Sequence, residues 1–118
     1  MNRHRVLIVD DDPATLEVLT VILRRTLKDL QVEGTHSPMI ALERVQTTQY
    51  DAVLTDLRMP GMDGLQLASH IHAIQPNTPV ILITGAVDVQ PPSGNIFAWL
   101  PKPLDIDALL TTLEDALG

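Results

Sequence analysis

The sequence predicts a doubly wound α/β domain: a five-stranded parallel sheet with helices on both faces and an irregular fourth connection. Three observations carry this. Short β-prone runs at 6–9, 52–55 and 80–83 have the unbroken apolar character of strands buried on both faces. They alternate with stretches whose apolar residues recur at helical spacing. The connections are short, and right-handed crossovers then place successive helices on either side of the sheet.

Val6 to Val9 is the first strand and ends at Asp10, Asp11 and Asp12. Asp12 before Pro13 reads as an N-cap with proline at the first helical position, and Leu16, Leu19, Leu23 and Leu27 mark a helix to about Lys28. Gln31 to His36 alternates, as suits an edge strand with one wetter face. Ser37 and Pro38 repeat the capping signal, and Ala41, Leu42 and Val45 give the second helix its apolar face.

Ala52 to Thr55 forms the third strand, which stops at Asp56 before the turn formers Pro60, Gly61, Asp63 and Gly64. Leu67, Ile71 and Ile74 mark the third helix, closed by Pro76 and Asn77. Val80 to Ile83 is the fourth strand and stops at Thr84 and Gly85. The interval from Ala86 to Asn95 has room for a helix, but it carries Pro91, Pro92, Ser93 and Gly94, and an interior proline costs about 3 kcal/mol. At most a turn or two is expected there. Phe97 to Leu100 is the fifth strand, followed by Pro101, Lys102 and Pro103. Asp105 caps a final helix with the stripe Ile106, Leu109, Leu110, Leu113 and Leu117.

The totals bound the function. A chain of 118 residues fits one domain, expected to span 1–118. No apolar run approaches the ~18 residues a membrane helix needs, and Met1 to Arg5 lack a secretory signal pattern, so a cytoplasmic location is expected. There is no cysteine, which excludes thiolate chemistry and cysteine-ligated metals. The net charge of −7, with Arg24, Arg25 and Lys28 as the one basic grouping, argues against direct nucleic-acid binding. His4, His36, His70 and His72 do not share a face at ligand spacing.

In a doubly wound sheet ligands bind outside the carboxyl ends of the strands. Asp10 and Asp11, Asp56, Thr84 and Lys102 fall at the carboxyl ends of four predicted strands. Three gathered carboxylates call for a cation, and oxygen donors suit Mg²⁺, which leaves coordination positions for water and a phosphoryl oxygen. Asp56, alone at the head of the central strand, is the candidate nucleophile toward phosphorus, with Lys102 and Thr84 as charge and hydroxyl donors to the phosphoryl oxygens. The alternatives are modest ones: a turn-forming Asp56, a capping Asp10 and Asp11, a solvated Lys102, a strand-end Thr84.

In order and placement, the runs IVDDD, DLRMPGMDG, ITG and WLPKP resemble the receiver domains of two-component response regulators over essentially the whole chain. The resemblance implies the flavodoxin-like strand order 2-1-3-4-5. It implies Asp56 as phosphoacceptor and Asp10, Asp11, Asp56 and the main-chain carbonyl of Arg58 as ligands of Mg²⁺. Thr84 is implied as the switch hydroxyl, Lys102 as the phosphate-pairing lysine and Trp99 as the switch aromatic, with the Lys102–Pro103 peptide in cis. The implied partners are a sensor histidine kinase or a phosphotransfer histidine protein upstream and an effector downstream, with slow self-dephosphorylation rather than enzymatic turnover.

Two departures stand out. The interval that usually holds a full fourth helix is short and proline-rich, and Trp99 stands where Tyr or Phe is more usual. Two other functions are weighed beside phosphorelay signalling. A pseudo-receiver would bind a partner without taking phosphate. A haloacid dehalogenase-type phosphohydrolase also uses strand-end aspartates and a lysine, but it carries its nucleophile in a first-strand DxD motif and needs a larger body.

Overall fold

A computed structural model describes residues 3–118. Its elements run β1 (His4–Val9), α1 (Pro13–Thr26), β2 (Leu30–Thr35), α2 (Pro38–Thr47), β3 (Ala52–Asp56), α3 (Gly64–Ile74), β4 (Val80–Gly85), a 3₁₀ turn (Ala86–Asp88), β5 (Ile96–Lys102) and α4 (Ile106–Leu117). The five strands form one parallel sheet in the order β2-β1-β3-β4-β5. No helix among the described residues is long and apolar enough to cross a membrane.

Alternation along the strands sends side chains to two cores. Leu7, Val9, Val53 and Leu82 pack with Ala41 and Val45 of α2 and Leu67 and Ile71 of α3. Val6, Ile8, Leu54 and Ile81 pack on the other face with Leu19 and Leu23 of α1 and Leu109 and Leu113 of α4. Every residue of β3 is buried, and burial of each of its larger apolar side chains contributes about 1.5–3 kcal/mol. The strand that ends in Asp56 is therefore anchored by both cores.

The helix starts follow from capping chemistry. Asp12, Ser37 and Asp105 accept from backbone amides of the first turns of α1, α2 and α4, as the sequence suggests. Asp63 also caps α3, closing a reciprocal box with Gln66.

Several boundaries shift. α1 ends at Thr26 rather than near Lys28, because Leu27 takes extended dihedrals. β2 begins at Leu30 and leaves out His36, since its ladder with β1 pairs His4 with Leu30 and ends at Val9 and Thr35. β5 extends from Ile96 through Lys102, because pairing with β4 continues to Gly85 and Lys102. Ile74, expected inward, is 40% exposed, since α3 ends there and buries Leu67, Ala68 and Ile71 instead.

Between β4 and β5 there is no fourth α-helix, only the 3₁₀ turn, an extended stretch and a tight turn in which Gly94 has φ +58°. Asn95 secures this segment by donating from Nδ2 to the carbonyl of Ala68 at 2.8 Å. A register shift between Val80 and Ile81 sets Ile96 and Trp99, three residues apart, in the same core.

Candidate functional site

Parallel pairing aligns the carboxyl ends of the strands, and register then decides which side chains meet. Val9 pairs with Thr55, so the next residues, Asp10 and Asp56, are neighbours across the β1–β3 ladder. Gly85 pairs with Lys102, which sets the lysine at the same edge two strands from Asp56.

Carboxylate oxygens of Asp10, Asp11 and Asp56 lie within 4.8 Å of one another. Two unit charges at that separation repel by about 3 kcal/mol at an effective dielectric near 20. Asp10 and Asp56 are buried, at 4% and 7% exposure, while Asp11 is open to solvent. Burial pushes the Asp10 carboxyl above its usual range, and the charges of Asp56 and Asp11 add to this; the hydrogen bond from the Asp12 amide and the charge of Lys102 act against it. That amide donates to Asp10 Oδ1 at 2.9 Å, fixing the side chain at the head of α1.

The Lys102 ammonium stands 2.9 Å from Asp56 Oδ1. Partial burial would lower the lysine's pKa, but the hydrogen bond and charge of Asp56, followed by Asp10 and Asp11, outweigh it and leave the value raised. The lysine is cationic at neutral pH. The Lys102–Pro103 peptide is cis, as the resemblance implies.

The donor set fits a hard divalent cation. Three clustered carboxylates with no sulfur or imidazole among them suit Mg²⁺, and a single lysine leaves the triad net negative. Asp10, Asp11 and Asp56 would hold the ion, which when bound offsets negative charge on an incoming phosphoryl group. Lys102 supplies a positive group beside Asp56.

Thr84, only 2% exposed, does not point its hydrogen bond at Asp56. Its hydroxyl donates to Asp88 Oδ2 at 3.2 Å. Arg58 Nη2 reaches both oxygens of the same carboxylate at 3.1 Å. The resemblance implies only a main-chain role for Arg58 and none for Asp88. No motif marks Asp88, whose place depends on the 3₁₀ turn that follows β4.

Trp99 is 8% exposed and packs in the core with Leu57 and Leu82. Its indole Nε1 is buried without a hydrogen-bond partner, a deficit of about 1–3 kcal/mol. Met59 is buried in the same core and Met62 packs against it, so both shape the loop after Asp56.

Comparison with known proteins agrees with this geometry. The family model described as "Response regulator receiver domain" matches residues 6–114. The chain is 39% identical over 116 residues to the transcriptional regulatory protein GlrR of Escherichia coli, covering 95% of this chain and 26% of that protein. It is 35% identical to the response regulator protein PilR of Pseudomonas aeruginosa, covering 99% of this chain and 27% of PilR. The chain thus spans about a quarter of the length of these curated relatives.

Among solved structures, the signal receiver domain of an HD domain-containing protein from Pseudomonas fluorescens superposes with a TM-score of 0.85 at 28% identity, covering 99% of this chain and 88% of that one. A CheY-like response regulator receiver domain protein from Methanospirillum hungatei gives a TM-score of 0.84 at 26% identity, covering 98% and 94%. With the family model matching residues 6–114 and this strand order beneath it, the chain belongs to the response regulator receiver domains of two-component systems.

Proposed function

We propose that Asp56 is the phosphoacceptor of this receiver domain. A carboxylate oxygen of Asp56 attacks the phosphorus of a phosphohistidine on a sensor kinase or a histidine phosphotransfer protein. The new O–P bond forms as the P–N bond breaks, and the electron pair returns to the imidazole. Asp10, Asp11, Asp56 and the Arg58 main-chain carbonyl hold Mg²⁺, and Lys102 carries part of the phosphoryl charge. Thr84 and Trp99 report the phosphorylated state to a downstream effector. The domain acts in the cytoplasm, binds no nucleic acid itself and loses its phosphoryl group slowly to water.

The observation that supports this best is the Lys102 ammonium at 2.9 Å from Asp56 Oδ1, beside two further carboxylates. A lysine so placed can follow an oxygen of the group that Asp56 acquires. Intact mass after incubation with Mg²⁺ and acetyl phosphate tests the reading. One added phosphoryl group, lost in Asp56→Asn, is expected. No added mass at saturating Mg²⁺ would favour a pseudo-receiver, and many turnovers of a phosphate ester per chain would favour a phosphohydrolase.

A further inference from the structure

Asp88 and Trp99 share one small space, and Thr84 is bonded to Asp88. Asp88, Trp99, Leu57, Leu65 and Gln90 line a cavity of about 240 Å³ beside the 3₁₀ turn. Asp88 accepts the Thr84 hydroxyl and is gripped by Arg58. The Trp99 side chain lines the same cavity, and its buried indole N–H has no acceptor.

A threonine hydroxyl has one proton to donate, whereas a carboxylate has about four acceptor positions. If Thr84 turns its proton toward a phosphoryl oxygen on Asp56, it must leave Asp88. The carboxylate, still held by Arg58, then has an acceptor position open beside a cavity lined by Trp99, whose indole N–H is unsatisfied.

We propose that Asp88 is a positioning residue that exchanges donors. It holds the Thr84 hydroxyl while Asp56 is unmodified, and it takes the Trp99 indole N–H once that hydroxyl is drawn to the phosphoryl group. The exchange rests on the phosphoacceptor reading of Asp56 and deepens it. It gives the chain a route from Asp56 to the 3₁₀ turn, whose Val87 is 97% exposed, in place of a full helix. The Thr84–Asp88 bond is a charge-assisted contact that the modified state exchanges for one from the indole.

The test follows the one tryptophan of the chain by its indole N–H resonance in ¹⁵N-labelled protein, with Mg²⁺ and beryllium trifluoride as the phosphoryl mimic. In the wild type the indole proton is expected to move downfield on binding. In Asp88→Ala the indole shift is expected to be lost, while affinity for the mimic changes little, because the carboxylate's bond to Thr84 in one state and to the indole in the other are removed together. Asp88→Asn keeps an acceptor oxygen and is expected to restore most of the shift.

A full indole shift in Asp88→Ala or no restoration in Asp88→Asn would overturn the exchange alone. So would a wild type that binds the mimic with an unmoved indole. Absence of binding to the wild type would instead overturn the phosphoacceptor reading, and the exchange with it.

Discussion

Lys102 at the end of β5 reaches past β4 to place its ammonium 2.9 Å from Asp56 Oδ1 at the end of β3. The two residues are not on paired strands. Their contact spans the carboxyl edge of the sheet and partly offsets the charge that Asp10, Asp11 and Asp56 concentrate there. Removing the lysine should therefore act on the acceptor's chemistry more than on the fold, since its side chain is 47% exposed and buries little surface. Lys102→Ala is expected to slow phosphorylation by acetyl phosphate by about 10²-fold, the scale of losing one oxyanion donor. Stability should change by less than about 1 kcal/mol. Single-turnover mass spectrometry with urea melts separates the two, and an unchanged rate would remove Lys102 from the site.

The acidic cluster predicts opposite effects of one substitution with and without metal. Burial and neighbouring negative charge raise the Asp10 carboxyl, so its ionised form costs stability. For an acid raised on folding, that cost is absent below its unfolded pKa and fully present above its folded one. Asp10→Asn should therefore melt higher than wild type at neutral pH without metal. Added Mg²⁺ should stabilise wild type, by about 2.7 kcal/mol at a hundredfold excess over its Kd, and leave Asp10→Asn almost unmoved. Thermal melts with and without Mg²⁺ decide this; equal metal responses in the two chains would count against the assigned ligands.

Gly64 supports the acceptor strand by having no side chain. A Cβ there would stand 2.5 Å from the carbonyl oxygen of Asp56 and 2.8 Å from Leu82 Cδ2. The Gly64 amide also donates to the carbonyl of Leu57 at 2.6 Å, drawing the start of α3 onto the end of β3. Gly64→Ala must push this backbone apart, at about 1–3 kcal/mol of overpacking. Gly61→Ala has open space at its Cβ and instead meets backbone strain, because φ is +83°. Denaturant midpoints of both variants, with phosphorylation rates, should show Gly64→Ala impairing the site and Gly61→Ala mainly the loop.

Tyr50, the one tyrosine of the chain, gives a pH readout away from the site. It is 1% exposed, and its hydroxyl donates to Glu33 Oε1 at 2.8 Å. Burial, then the hydrogen bond and charge of Glu33, push its pKa up to about 12. With an unfolded value near 10, its contribution to stability is complete below pH about 10 and is lost as pH rises through about 12. Absorbance titration of the phenolate should give a native midpoint close to 12, falling near 10 in urea. A native midpoint near 10 would mean that Glu33 does not hold the phenol.

Local rules already wrote much of this structure into the order of residues. Asp12–Pro13 and Ser37–Pro38 satisfy orphan amides within one turn, so those helix starts were legible without neighbours. The strands ending at Asp56 and Gly85 are buried on both faces, and unbroken apolar character marks them. Asp10, Asp11, Asp56, Thr84 and Lys102 could be singled out because parallel strands bring their carboxyl ends to one edge. What the linear chain left open depends on contacts between segments distant in sequence. Ladder register added Pro101 and Lys102 to β5 and put Ile96 and Trp99 in one core. The end of α3 left Ile74 in solvent. The 3₁₀ turn brought Asp88 between Thr84 and Arg58, a meeting that no spacing rule contains, because it needs the loop after β3 and the loop after β4 to share one carboxylate.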